Sequence, residues 1–275
     1  MKKILAMLGI MASLILTGCG GDEPVDGGHG IGTNTETVIR VGAMPKPHAE
    51  ILESVKTNLK DQGIDLQIVE FQDYTKPNLA LNNGEIDANF FQHKQYFDNA
   101  IKENPELKLT NAGVVHVETM GIYSSKFKKL EDIPFGATVS IPDDPTNCDR
   151  ALLLLDKAKL ITLREGIENL ATVEDIISND NDLKINEVDA AQVAGTLNEV
   201  DIAVINTDFA MDAGLNPISD AIFIENNTSP YANIVVVCEG DENRPEIQTL
   251  IKVLQSEQVK KFIKDNYNGA IVPVF

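Results

Sequence analysis

Short apolar segments of strand length alternate with segments whose apolar residues recur three and four positions apart, beginning at Val38. The first kind is typical of buried strands and the second of helices with one buried face. In the first half of the chain we predict strands over residues 38–43, 66–71 and 86–91 and helices over residues 47–63, 78–83 and 95–103. Repeated strand–helix–strand units predict an α/β fold with mostly parallel sheets.

The same alternation restarts after Tyr123. We predict strands over residues 138–141, 183–188, 202–205, 221–225 and 231–238, helices from residue 146 and over residues 190–197 and 208–213, and one long helix over residues 245–267. Two α/β units indicate two lobes: residues 38–118 plus 239–275 as lobe 1 and residues 119–238 as lobe 2. The two segments expected to cross between the lobes are residues 120–124 and 231–237.

The N-terminus predicts export and lipid anchoring. Lys2 and Lys3 precede an apolar run over residues 4–16, which is of signal-peptide length. Thr17 and Gly18 then place small side chains before Cys19, a pattern that resembles a bacterial lipobox. We therefore expect residues 1–18 to be a signal peptide, Cys19 to be diacylated, and residues 19–37 to be a flexible tether on the extracytoplasmic face. An ordinary secretory signal or an uncleaved apolar tail is the alternative.

Charge and motifs exclude several function classes. The formal net charge is −19, which disfavours nucleic acid and anionic lipid surfaces, so membrane contact is expected through the anchor alone. The sequence has no spacing typical of a zinc site or a catalytic nucleophile, so we expect no metal, cofactor or enzymatic activity. Cys148 and Cys238 could form a disulfide, but free thiols are the favoured interpretation.

One helix start combines the groups that bind a carboxylate. Asn147 and Arg150 lie in the segment that follows the predicted strand at 138–141. Backbone N–H groups at a helix start attract anions, and a guanidinium can hold both oxygens of a carboxylate. The alternative is a capped helix with Arg150 exposed on its first turn.

Polar and aromatic residues follow four other strands, where ligands of open α/β sheets bind. Tyr74 either lines a pocket or packs against the core, and Phe91 with His93 could form an apolar wall, although a lone histidine is more often structural. Asn206 and Asn233 could each accept from an ammonium and donate to a carboxylate, but asparagine is also common at caps and turns. Asn78 is expected to cap a helix.

Taken together, these motifs resemble the methionine-binding lipoproteins of bacterial methionine ABC importers, the NlpA-type lipoprotein family. The resemblance covers nearly the whole mature chain, from Val41 to Pro273. The segments that carry it are Pro47-His48-Ala49-Glu50, Asp73-Tyr74, Pro77-Asn78-Leu79-Ala80, Phe91-Gln92-His93, Met120-Gly121, Asp144-Pro145-Thr146-Asn147, Arg150-Ala151-Leu152, Val204-Ile205-Asn206 and Ser229-Pro230-Tyr231-Ala232-Asn233.

The resemblance implies a bilobed periplasmic-binding-protein fold of type II, with two α/β lobes joined by a two-segment hinge. It implies that the chain binds methionine in the cleft and delivers it to an importer's permease and ATPase. The α-carboxylate would be held by Asn147 and Arg150, and the head group by Asn206 and Asn233. The side-chain pocket would be lined by Tyr74, Phe91 and His93.

The sequence departs from the family pattern at four places. Asp143 replaces the usual Asn, and it could pair with a ligand ammonium or point outward. Thr119 replaces Pro, the stretch Val193-Ala194-Gly195 replaces one that commonly carries Pro-Arg, and Cys148 falls inside the helix-start motif. These departures leave open a methionine-containing dipeptide or another small apolar amino acid as ligand. An exported enzyme, with Cys148 and a distant histidine as a nucleophilic pair, and a surface lipoprotein without transport function are the alternatives of another class.

Overall fold

The computed structural model describes residues 36–167, 170–226 and 229–275. The predicted signal peptide, Cys19 and nearly all of the predicted tether lie outside the described residues. The folded part forms one compact unit that includes all the described residues. None of its helices is long and apolar enough to span a membrane.

Thirteen strands lie within the described residues. In chain order they are β1 (Thr37–Ala43), β2 (Ile64–Glu70), β3 (Ala88–His93), β4 (Leu109–Glu118), β5 (Gly121–Tyr123), β6 (Thr138–Pro142), β7 (Thr162–Leu163), β8 (Ile176–Ser178), β9 (Lys184–Val188), β10 (Ile202–Ile205), β11 (Ala221–Ile224), β12 (Ala232–Cys238) and β13 (Ile271–Pro273).

The described residues also form eight α-helices. They are α1 (Glu50–Asp61), α2 (Pro77–Asn82), α3 (Lys94–Glu103), α4 (Pro145–Lys157), α5 (Ala190–Val193), α6 (Thr207–Asp212), α7 (Pro245–Leu254) and α8 (Glu257–Tyr267). The predicted helix at 47–63 is confirmed, except that an irregular turn over Pro45–Ala49 precedes its first residue, Glu50.

Two large sheets confirm the α/β class. The six-stranded sheet has the order β13-β4-β12-β3-β1-β2, and the five-stranded sheet has the order β11-β5-β10-β6-β9. Strands β1 and β6, each next to the edge strand of its sheet, pair only in parallel, as their βαβ units require. The remaining pairs in both sheets are antiparallel, so the prediction of mostly parallel sheets is wrong.

Strand β12 departs from the predicted lobe boundary. Residues 119–238 were expected to form lobe 2, but β12 pairs with β3 and β4 in the six-stranded sheet. Its side chains Val235 and Val237 are buried in the core of that sheet. By sheet membership, the second crossing therefore lies between β11 and β12, and the first lies between β4 and β5.

The predicted long helix at 245–267 is two helices. Helix α7 ends at Leu254, and α8 begins after Ser256, whose hydroxyl accepts a hydrogen bond from Val259 N at 3.4 Å. Apolar residues continue across the break because both helices pack on the same core, through Leu254 and Val259. Periodicity therefore predicts the buried face correctly and misses the serine cap.

Candidate functional site

A cavity lies between the two sheets, with about 330 Å³ of empty space that is partly open to solvent. The residues that line it come from β3, α3, β4, β12 and the loop after β2 on one side, and from α4 and the start of α6 on the other. All seven predicted ligand-binding residues line this cavity: Tyr74, Phe91, His93, Asn147, Arg150, Asn206 and Asn233. Five further lining residues were not among the predicted ligand-binding residues: Gln92, Tyr96, Glu118, Thr207 and Asp208.

Aromatic rings form one end of the site. The Tyr74 ring lies 5.8 Å from Phe91, 5.6 Å from Tyr96 and 4.8 Å from Phe209, centroid to centroid. Tyr96 also donates from its hydroxyl to the backbone oxygen of Tyr74 at 3.1 Å, which fixes the loop after β2. This end offers an apolar lining for a ligand side chain.

His93 has both a structural contact and a cavity contact. Its Nδ1 accepts from Tyr96 N at 3.1 Å and so caps α3. The ring proton is therefore on Nε2, which donates to Asn147 Oδ1 across 3.2 Å. Burial lowers the pKa of His93 to about 3, and the Arg150 charge acts in the same direction, so the ring is neutral. His93 therefore fits both interpretations, because it makes a structural contact and also lines the cavity.

Buried amides support the end of β3. Asn78 Oδ1 accepts from Asn89 at 2.9 Å and from Gln92 at 2.7 Å, and Asn78 Nδ2 donates to Gln92 Oε1 at 3.0 Å. The prediction that Asn78 caps α2 is wrong, because it lies inside that helix and its side chain points into the protein. Its amide instead holds Gln92, which lines the cavity.

The start of α4 is fixed by Asp144, which accepts from Asn147 N at 3.0 Å. Asn147 Nδ2 also donates to this carboxylate, at 2.9 Å and 3.1 Å from its two oxygens. Asn147 Oδ1 accepts from Asn206 Nδ2 at 2.8 Å, in addition to its bond with His93. Asn147 thus links one residue from each side of the cavity to the helix start.

Arg150 is buried, which rules out the exposed alternative. Its Nε lies 3.1 Å from Glu225 Oε1, and its Nη2 lies 2.5 Å from Glu225 Oε2 and 2.6 Å from the backbone oxygen of Glu118. The guanidinium also lies 4.3 Å from the centroid of the Tyr231 ring. Because Glu225 and the Glu118 backbone oxygen accept from Nε and from both N–H groups of Nη2, a ligand carboxylate would bind the remaining terminal nitrogen, Nη1.

Glu118 is the centre of a buried group of histidines. His116 Nε2 lies 2.8 Å from Glu118 Oε1, and His48 Nε2 lies 3.1 Å from it and 3.1 Å from Asn233 Oδ1. Burial lowers the pKa of His48 to about 4 and that of His116 to about 3, so both rings are neutral N–H donors. Glu118 Oε1 therefore accepts a hydrogen bond from each of the two histidines.

These three side chains also have the composition of a metal site, with ligand atoms within 4.8 Å of one another. A metal-bound histidine normally donates its other ring N–H to a carboxylate or carbonyl. The Nδ1 atoms of His48 and His116 have no hydrogen-bond partner among the described residues. The group therefore fits a hydrogen-bonded carboxylate better than it fits a metal centre.

Asp208 is a buried acid that was not among the predicted ligand-binding residues, although it lies in the polar segment after the predicted strand at 202–205. Its carboxylate oxygens lie 2.8 Å and 2.7 Å from the Tyr74 hydroxyl, which donates to them across the cavity. Burial raises the pKa of Asp208 well above its ordinary value, and the neighbouring Glu118 charge acts in the same direction. Its place just after the buried strand β10, beside Asn206, was the signal that could have identified it.

The departures from the family pattern lie mostly outside the cavity lining. Asp143 and Gly195 are exposed, and neither lines the cavity. Thr119 is buried and donates from its hydroxyl to the backbone oxygen of Ala270 at 3.2 Å. Cys148 is a buried free thiol beside Glu187, and its pKa is raised to about 12, mainly by burial. That pKa argues against a nucleophilic role for Cys148; Cys238 is also free, as predicted.

Known proteins resemble this chain over its length. The family model described as NlpA lipoprotein matches residues 39–275. The methionine-binding lipoprotein MetQ of Bacillus subtilis is 38% identical over 279 positions, covering 100% of this chain and 99% of the relative.

Two solved structures extend the comparison. A nutrient-binding protein from Burkholderia cenocepacia, solved bound to methionine, is 44% identical with a TM-score of 0.83, covering 86% of this chain and 100% of its own. An ABC transporter periplasmic substrate-binding protein from Coxiella burnetii is 41% identical with a TM-score of 0.81, over the same shares of the two chains. The predicted periplasmic-binding-protein fold is thereby confirmed, and this chain belongs to the NlpA lipoprotein family.

Proposed function

We propose that this chain is the solute-binding component of an ABC importer and that it binds methionine in the cavity between the two sheets. The observation that carries the proposal is a single cavity with aromatic rings at one end and Arg150 with amide side chains at the other. A thioether gains about 0.3–1.5 kcal/mol from a favourable contact with an aromatic ring. The methionine-bound relative from Burkholderia cenocepacia supports the same ligand.

In this proposal Tyr74, Phe91 and His93 contact the methionine side chain. Arg150 binds the α-carboxylate, while Asn147 orients the neighbouring groups. Asn206 and Asn233 contact the head group. In the same proposal each large sheet is the core of one lobe, and the chain passes from one sheet to the other after β4 and after β11.

We further propose that Cys19 is lipidated after removal of residues 1–18 and that the protein delivers its ligand to a permease and its ATPase. Membership of a lipoprotein family and the lipobox-like residues before Cys19 support the anchor. Metabolic labelling with a fatty acid tests it: label should enter the wild-type chain and be absent from Cys19→Ala. Label retained in that variant would contradict lipidation at Cys19.

Calorimetry is the direct test of the ligand, since the chain has no tryptophan to report binding. The full chain in detergent, stripped of copurified ligand by unfolding and refolding, would be titrated with L-methionine, D-methionine, glycyl-methionine and leucine. We expect saturable binding of methionine, weakened at least about 30-fold in Arg150→Ala because a buried carboxylate would lose its charged partner. Binding of the dipeptide alone would move the specificity to peptides, and silence with all four would contradict an amino-acid ligand.

A further inference from the structure

Two segments that belong to different sheets contact each other outside the ligand cavity. The turn over Pro45–Ala49 follows β1 of the six-stranded sheet, and α6 follows β10 of the five-stranded sheet. This turn packs against α6. Met44, just before the turn, and Lys46, within it, do not line the cavity. The two sheets are therefore also joined by residues that lie apart from the ligand space.

Met44 forms the apolar half of this contact. Val41 and Ala43 are buried in the core of the six-stranded sheet, whereas Met44, which is 2% exposed, is buried in a different cluster. Apart from Met44 and Phe91, the buried members of that cluster within the described residues come from the five-stranded sheet and the segments attached to it: Tyr123, Ala190, Val193, Val200, Ala203, Ile205, Phe209 and Ala210. Separating the sheets would return the Met44 side chain to water, which is unfavourable for an apolar group.

Lys46 forms the polar half of the contact. Its Nζ donates to the backbone oxygen of Met211 across 3.4 Å. Met211 lies in the last turn of α6, and carbonyl groups near a helix C-terminus carry a partial negative charge that attracts cations. Lys46 is half-buried and forms no ion pair with a carboxylate of the described residues. Its ammonium is therefore directed at the end of a helix that belongs to the other sheet.

The contact lies beside open space. A groove of about 580 Å³ is lined by Lys46, Met211, the segment after α6 and the C-terminal end of α8. Because Lys46 stands at the edge of this groove, water can solvate its ammonium again when the bond to Met211 breaks. The bond can therefore form and break while the apolar core of each sheet stays intact.

We propose that Met44 and Lys46 form an interlobe latch, which holds the turn after β1 against α6 when the lobes are closed and so slows release of the ligand. The latch rests on the proposed function, because it requires two lobes that close over a ligand. A contact made only in the closed arrangement raises the population of that arrangement. Since the ligand leaves after the lobes open, the latch lowers the dissociation rate and leaves the encounter with the open form unchanged.

Release kinetics test the latch. The full chain in detergent would be loaded with radiolabelled L-methionine and chased with an excess of unlabelled L-methionine, and the association rate would be measured separately. Lys46→Met keeps the aliphatic stem and loses the donor, so we expect release about two- to fivefold faster at an unchanged association rate. Lys46→Arg keeps a cationic donor and should release near the wild-type rate. Lys60→Met, at an exposed position on α1, is the matched control and should behave as the wild type.

Met44→Ala tests the apolar half, and we expect it to release L-methionine about tenfold faster than the wild type. Denaturant unfolding establishes that each variant is folded; if Met44→Ala is not, the half-buried Lys46 decides the outcome alone. A wild-type release rate in folded Lys46→Met, or weaker binding that comes from slower association, would overturn the latch while leaving methionine binding intact. Failure of the wild type to bind L-methionine at all would overturn the proposed function itself.

Discussion

At the scale of single residues, the cavity depends on side chains that each hold a neighbour as well as face the ligand space. His93 caps α3 and donates to Asn147, and Asn147 in turn holds Asn206. Tyr74 supplies a ring to the aromatic end and a hydroxyl to Asp208. Loss of one such contact leaves a buried polar atom unpaired, so it should affect both stability and binding.

Tyr74→Phe tests this at the bond between Tyr74 and Asp208. The variant keeps the ring but removes the donor shared by both Asp208 oxygens, so we expect the free energy of unfolding to fall by about 1–3 kcal/mol. Denaturant unfolding of the ligand-free protein measures it. Tyr123→Phe is the matched control, because the buried Tyr123 hydroxyl has no partner in the described part of the chain and its removal should cost little. Equal losses in the two variants would contradict the argument.

At the scale of elements, the strands that alternate with helices were predicted closely, since β1, β6 and β10 match their predicted ranges to within one residue. Strand β4 was not predicted, although it contains Val114, Val115 and Val117 in sequence. Its polar residues Asn111 and His116 interrupt the apolar run. His116 can be buried because Glu118 accepts a hydrogen bond from its ring N–H. The spacing of apolar residues along the chain does not predict tertiary contacts of this kind.

The elements that cross between the sheets meet at Arg150. Glu225 follows β11, accepts from Met120 N at 3.1 Å and pairs with Arg150, which also donates to the end of β4. Both crossing segments are thereby tied to one guanidinium on α4. The predicted clamp for a ligand carboxylate therefore also holds together the two segments that cross between the sheets.

Glu225→Gln should reveal that second role. Removing one partner of a buried ion pair costs about 3–5 kcal/mol because the other charge is left uncompensated. We expect a loss near the lower end of this range in the ligand-free protein, since the amide oxygen can still accept one hydrogen bond. Glu199→Gln, at an exposed position, is the control and should unfold like the wild type. An unchanged unfolding midpoint in Glu225→Gln would show that Arg150 is neutralised by another group.

At the scale of the whole molecule, the family motifs predicted seven of the twelve cavity-lining residues, all of them polar or aromatic. They did not predict the charge of the cavity. Glu118 ends a strand that was not predicted, and Asp208 lies inside a short helix whose sequence alone does not indicate burial. The sequence also could not predict which sheet contains β12. Its local pattern is that of any buried strand, whereas its place is set by antiparallel pairing with the distant strand β4.

The pH dependence of stability follows from these buried groups. His48, His93 and His116 have lowered pKa values, so they bind more protons in the unfolded chain and stability rises with pH from about 4 to 6.5. The pKa of Asp208 is raised, so the folded protein holds a proton that the unfolded chain has lost. Above the ordinary pKa of an aspartate, Asp208 therefore makes stability fall as the pH rises. Ligand-free Asp208→Asn should therefore gain stability more steeply between about pH 4.5 and 6, by up to about 1.4 kcal/mol per pH unit.

Urea unfolding at intervals of half a pH unit measures these slopes, with Asp143→Asn as the control at an exposed acid. The control should follow the wild-type curve. A slope for Asp208→Asn that is equal to or shallower than that of the wild type would mean that Asp208 is ionised in the folded, ligand-free protein.

The order of strands in the first sheet has a consequence for how the chain is made. Strand β4 pairs only with β12 and β13 among the described strands, and both of these come from the last part of the sequence. A chain that is still being synthesised or threaded through a membrane pore has no partner for β4 until residue 232 has emerged. The six-stranded sheet therefore cannot be completed before the last part of the chain is available, even though β1, β2 and β3 can already pair with one another.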